Sequence, residues 1–150
     1  MTALICETAE KLRATIERAR EADVEIPWLK RFPKNCCNFT SNLLLMDLSD
    51  VGVSSLRRMM GGVPEEGGDD TVPHVWVQAD GFVTDITADY HGQASVIVEG
   101  DSAWHQSLED VRAFVPRLDV PEGIAAEEIT RLRELYQDVL QKLEAFRDDA

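Results

Sequence analysis

The sequence predicts an α+β domain: a buried apolar helix laid on a small antiparallel sheet, with an amphipathic helix towards each end of the chain. Three observations carry that reading. Between His74 and Asp89 the residues HVWVQADGFVTDITAD set Asp80-Gly81, a two-residue turn signal, between two runs of alternating β-prone residues, which is the pattern of a β-hairpin. Upstream, CCNFTSNLLLMDLSD is apolar on nearly every side from Leu43 to Leu48, as a buried helix is. Residues 3–22 and 124–147 repeat apolar side chains at alternating spacings of three and four, the stripe of a helix with one dry face.

In chain order, Ile5, Ala9, Leu12, Ile16 and Ala19 form the stripe of helix 3–22, with Cys6 as a small packing residue inside it and Ala22-Asp23 at its end. Pro27 and Pro33 bracket an irregular segment in which Trp28 and Phe32 are expected as core anchors. Asn35 is a suitable N-cap for the apolar helix, which sets Cys36 and Cys37 in its first turn, and Gly52 stops it. Val53 to Met60 reads as a strand left half wet by Arg57-Arg58, and Gly61 to Asp70 (GGVPEEGGDD) as a mobile surface loop. A two-residue hairpin loop then puts Ala79 opposite Phe82, Trp76 opposite Asp85 and His74 opposite Thr87. Gly92 precedes a short strand, Ala94 to Val98, and DSAWH (101–105) reads as a turn with a partly buried Trp104. Asp119, Pro121 and Glu122 make a capping-box-like start for the last helix, whose stripe is Ile129, Leu132, Tyr136, Val139, Leu143 and Phe146. No repeat or linker divides the chain. It is expected as one domain, 1–150, with its core over about 27–105 and the terminal helices packed on it, or pairing two copies into a homodimer.

The chemistry lies in the hairpin. Alternate side chains share a face of a strand, so His74, Trp76, Asp85 and Thr87 lie together, with His74 and Asp85 as diagonal neighbours. An imidazole backed by a carboxylate is the base and its orienter, and a nucleophile completes such a set. The thiols at the start of a buried helix supply one: the positive helix end favours thiolate, and unpaired first-turn N–H groups can receive an oxyanion. Adjacent helical side chains diverge by about 100°, so only one cysteine faces the hairpin. From Cys37 the face runs on through Ser41 towards Leu44 and Leu48, whereas Cys36 leads to Thr40, Asp47 and a wetter side, which favours Cys37.

Composition excludes other classes. With 28 acidic and 15 basic residues the formal charge is −13, which argues against nucleic-acid binding and against docking on an anionic membrane. No apolar run is long enough to span a bilayer, and the N-terminal residues lack the apolar core of a signal peptide. Three cysteines, an odd number, fit free thiols in a reducing compartment, so a cytoplasmic location is expected. Cys36, Cys37, His74, His91 and His105 have none of the C-x₂-C, HExxH or HxxxH spacings of zinc sites, and there is neither P-loop nor GxGxxG. No metal and no cofactor are expected.

CCNFTSNLLLMDLSDVG resembles the nucleophile helix of bacterial transglutaminase-like proteins, in which the cysteine is followed by Ala or Ser and then a Leu-rich run to a Gly; Ser41 and Gly52 fit that pattern from Cys37. HVWVQADGFVTDIT is similar to the family's His-Ala-Trp strand, acidic turn and Asp-x-Thr, with Val75 where Ala is usual. DITADYHG and DSAWH are similar to stretches of short uncharacterised bacterial proteins. The resemblance covers roughly residues 35–105 and implies a papain-like or transglutaminase-like core with Cys37, His74 and Asp85 as catalytic triad. Papain-type enzymes place an oxyanion-hole Gln where this chain has Arg31, which leaves Asn35 as the candidate second donor. The implied activity is thiol-dependent acyl transfer on a peptide or protein amide: a protease, amidase or deamidase, with amine transfer second. The alternative is a non-catalytic, immunity-like use of the fold, in which the acidic surface binds a basic partner.

Overall fold

The computed structural model describes residues 1–113 and 126–147. The expected capping box at Asp119, Pro121 and Glu122 lies outside them. The described chain is mixed α+β, with helices α1 (Thr2–Glu21), α2 (Cys37–Asp50), α3 (Ala103–Ser107), α4 (Ala126–Leu135) and α5 (Gln137–Glu144). Its strands are β1 (Leu56–Pro64), β2 (Thr71–Ala79), β3 (Phe82–Asp85), β4 (Ile97–Glu99) and β5 (Glu109–Ala113), which form one antiparallel sheet in the order β4-β3-β2-β1-β5. No described helix is long and apolar enough to cross a membrane.

The hairpin has the expected register, Ala79 opposite Phe82 and Val77 opposite Thr84. Asp80 and Gly81 both adopt positive φ, 53° and 86°, the geometry that makes Asp-Gly a tight turn between right-twisting strands. Leu56, Val77, Ala79 and Ile86 face the helices and join a core with Ile5, Leu12 and Ile16 of α1 and Leu43 to Met46 and Leu48 of α2. Trp28 and Phe32 are buried anchors of that core, as expected.

Several local expectations need correction. GGVP is strand rather than loop: Gly61 pairs with His74 and Pro64 with Thr71, so only residues 65–70 form the connection. Glycine there reflects crowding, since a Cβ on Gly61 would sit 3.0 Å from that of Leu108 and one on Gly62 2.8 Å from Thr71 Oγ1. Cys36, not Asn35, is the N-cap of α2, because Asn35 takes a left-handed turn (φ 53°) before the helix begins. Cys6 is half-buried instead of packed in the core, with its thiol donating to Glu10. The short apolar strand is confined to Ile97–Glu99, DSAWH belongs to α3, and β5 is an added edge strand.

Arg58, expected to be wet, is buried against the helices. Its guanidinium donates to Asn42 Oδ1 (2.6 Å) and lies 3.7 Å from Glu128, while Asn42 donates in turn to the Tyr136 hydroxyl (2.8 Å). That network ties β1, α2 and α4 together. The last helix divides at Tyr136, so α4 faces α2 while α5 reaches α1. Arg18 Nε donates to the Phe146 carbonyl (2.9 Å) and Lys142 to that of Glu25 (2.7 Å), so the two terminal helical segments touch. Leu143 is fully buried in this contact. Leu143→Ala should therefore cost about 3 kcal/mol in denaturant unfolding; a midpoint matching wild type would show that α5 contributes nothing to the core.

Candidate active site

Two stretches distant in sequence meet where β3 leaves the sheet. β3 ends at Asp85, so the His74 end of β2 runs on with only β1 beside it. The start of α2 lies along that margin, where Ser41 Oγ donates to the Val75 carbonyl (3.3 Å). The same turn of helix brings Cys37 into a cleft with His74, Thr87, His91 and Asn35. After Asp85 the chain enters a 3₁₀ turn, Ala88–His91, which borders the cleft. Arg13 of α1 holds that turn down: its guanidinium donates to the Ile86 carbonyl (2.7 Å), clasps both oxygens of Asp89 (2.8 Å each) and stacks 4.5 Å over the Phe32 ring.

On the sheet face away from the main core, His74 Nε2 is 2.7 Å from Asp85 Oδ2. Asp85 Oδ1 accepts the Thr87 N–H at 2.9 Å, so both carboxylate oxygens are engaged. With Nε2 committed to Asp85, Nδ1 is the ring nitrogen left for Cys37, whose thiol shares the cleft with the imidazole. Burial alone would lower the pKa of His74, but the hydrogen bonds and negative charge of Asp85 and Cys37 outweigh it and raise the imidazole to about 9. Burial would likewise raise Asp85, yet its hydrogen bonds with His105 and His74 hold it well below the usual carboxylate range. His91 is pushed down by burial and by the charge of His74, 5.0 Å away between ring centres.

The structure thus brings Cys37, His74 and Asp85 together, with Asn35 on the same cleft. Cys36 differs from its half-buried neighbour in exposure. It is 1% exposed, not on a wet side as its helical position suggests, and burial followed by the charge of Cys37 pushes its thiol up to about 12.

Sequence reasoning missed His105 and Ser102. His105 Nε2 lies 2.7 Å from the same Asp85 Oδ2, and its Nδ1 lies 2.6 Å from Ser102 Oγ. The signal was present in Ser102-Ala-Trp-His105. Ser102 is the N-cap of α3 and accepts the His105 N–H, the spacing of a capping box with His in place of Glu.

Among the described residues, His74, Asp85 and His105 are the one group whose ligand atoms converge enough to hold a metal ion, all within 4.8 Å. The spacing within it is that of hydrogen bonds. Zinc–nitrogen bonds of about 2.05 Å place tetrahedral ligand atoms about 3.3 Å apart, and both nitrogens here stand 2.7 Å from one oxygen. No family model, no curated protein and no solved structure matches the chain.

Proposed function

We propose that this protein is a thiol-dependent acyl-transfer enzyme of papain-like or transglutaminase-like architecture, acting on a peptide or protein amide. One observation carries the reading: the His74 imidazole, bonded to a buried carboxylate, lies in one cleft with a thiol at the start of a helix. In the reaction, the Cys37 sulfur attacks the acyl carbon and its proton resides on His74. Cys36 gives α2 no side-chain cap, and the first-turn N–H groups at that end can receive the oxyanion, with Asn35 as a second donor from the cleft wall. His74 gives the proton to the departing amine, leaving a thioester on Cys37. Water then attacks the thioester, passing a proton to His74, and the acid leaves as the sulfur is restored. Asp85 keeps the imidazole in one tautomer and balances its charge throughout.

A second reading is favoured by the cleft volume of about 20 Å³, room for about one water. In that reading the site is retired and the acidic surface, −13 overall, binds a basic partner. Iodoacetamide separates the two. In the enzyme, Cys37 should be alkylated ahead of Cys6 and Cys36 at neutral and mildly acid pH, and His74→Ala should slow that labelling at least tenfold, as loss of an ion-pair partner does. A Cys37 no faster than Cys6, and indifferent to His74, would favour the binding protein. Profiling against peptide and glutamine substrates then assigns the acyl donor.

A further inference from the structure

We propose that His105, held by Ser102, is a positioning residue for this site: it competes with His74 for a single oxygen of Asp85 and so sets how tightly Asp85 holds the His74 imidazolium. The inference rests on the triad reading given above.

The geometry specifies the protons. Ser102 Oγ accepts the His105 backbone N–H (3.4 Å), which leaves its own proton for His105 Nδ1 at 2.6 Å. His105 is thereby fixed as the tautomer with its proton on Nε2, and that proton faces Asp85 Oδ2 at 2.7 Å. His74 Nε2 meets the same oxygen at the same distance, while Oδ1 is taken by Thr87. His74, Asp85, Ser102 and His105 are each at most 3% exposed, so water does not dilute the competition. The Trp76 and Trp104 rings, 4.7 and 4.8 Å from the His105 ring centre, leave it little freedom to turn away.

A histidine present only to fill space could place its proton on any carbonyl. Placed here, it draws charge from the atom that steadies the base. During acyl transfer His74 takes up and releases a proton, whereas His105 is hydrogen-bonded between Ser102 and Asp85 and has no place in the transfer. Other titratable groups at the cleft beside His74 are Cys37 from α2 and Tyr90 and His91 from the 3₁₀ turn, and β1 offers only Gly61 opposite it. A weaker Asp85–His74 bond favours release of the proton to the leaving amine, which is the step a too-stable imidazolium would slow.

The test uses the full chain as wild type, His105→Phe, His105→Gln and Ser102→Ala. The His74 imidazole is titrated by NMR, and the pH dependence of Cys37 alkylation is recorded beside it. His105→Phe removes the competing donor, so the His74 midpoint should rise by about one pH unit, the scale of one charge-assisted hydrogen bond. His105→Gln keeps an N–H donor and should return the midpoint to near the wild-type value. Ser102→Ala releases the His105 tautomer and should fall between. An unchanged or lowered midpoint in folded His105→Phe overturns the inference; if that variant does not fold, a Ser102→Ala midpoint equal to wild type does so instead. The His74 titration needs no catalytic turnover. Slow wild-type alkylation therefore counts against the enzyme, and a static midpoint against the role of His105.

Discussion

Asp85→Ala should lose both Cys37 reactivity and about 3–5 kcal/mol of folding stability, the usual cost of breaking a buried charged pair. Asp85 is 2% exposed and accepts from His74, His105 and the Thr87 N–H. Alanine leaves all three donors buried without an acceptor. Asp85→Asn separates the two losses. The carboxamide has the same shape but only one acceptor oxygen, and turning it either way sets an NH₂ against a donor: the two imidazoles or Thr87. Stability should fall by less than in the alanine variant. Cys37 reactivity with an amide substrate should fall by about 10³–10⁴, as happens when a triad imidazole is held in the wrong tautomer. Denaturant titration and turnover of an amide substrate, with alkylation kinetics beside it, check the pair. An Asn variant with wild-type reactivity would mean that Asp85 is a structural acceptor and no orienter.

The second large effect is on stability as a function of pH. His74 rises from the ordinary 6.5 to about 9 on folding, equivalent to on the order of 3 kcal/mol. The sign follows from which form the fold prefers. Below pH 6.5 His74 is protonated in folded and unfolded chains alike, and the full contribution is present. Between 6.5 and about 9 it drains away, and above that it is gone. Asp85 works at the other end. Its folded value lies below the ordinary carboxylate value, so its contribution is complete above about pH 4 and is lost as the pH falls further. Stability should therefore plateau between about pH 4 and 6.5, measured as unfolding free energy in urea. His74→Gln should flatten the alkaline slope, and Cys37→Ala, by removing one of the groups that raise His74, should end it at lower pH. An alkaline slope that survives His74→Gln would assign it to some other group.

Much of this was legible from spacing alone. The Asp80-Gly81 turn fixed the hairpin register, and register placed His74 and Asp85 on one face, because a strand's side chains alternate without regard to the rest of the protein. Apolar runs marked α1 and α2 for the same local reason. What local pattern could not convey was which surfaces would be crowded. Gly61 and Gly62 read as loop residues, yet their lack of a side chain serves close packing against Leu108 and Thr71. Arg58 read as wet because charge usually is, and the distant Asn42 and Glu128 are among the partners that make its burial tolerable. His105 was hidden likewise: Ser102 to His105 marks only a helix start, and no spacing ties His105 to Asp85, 20 positions back. Of the cysteines, Cys37 was favoured by its helical face, whereas Cys36 is set apart by burial as the cap, which the helical face did not convey.

The grip of Arg13 on the 3₁₀ turn bears on the order in which the molecule comes into being. Its partners, Ile86 and Asp89, follow it by 73 and 76 positions, and Phe146 follows Arg18 by 128. At synthesis rates of about 5–20 residues per second, roughly 4–15 s pass before the first of those partners exists. Through that interval the stripe of Ile5, Leu12 and Ile16 has the apolar residues of α2 to pack on, but neither the 3₁₀ turn nor α5. The helix α1 is therefore seated in stages, against α2 early and against the 3₁₀ turn later, so the cleft it braces takes shape only after Asp89 has been made.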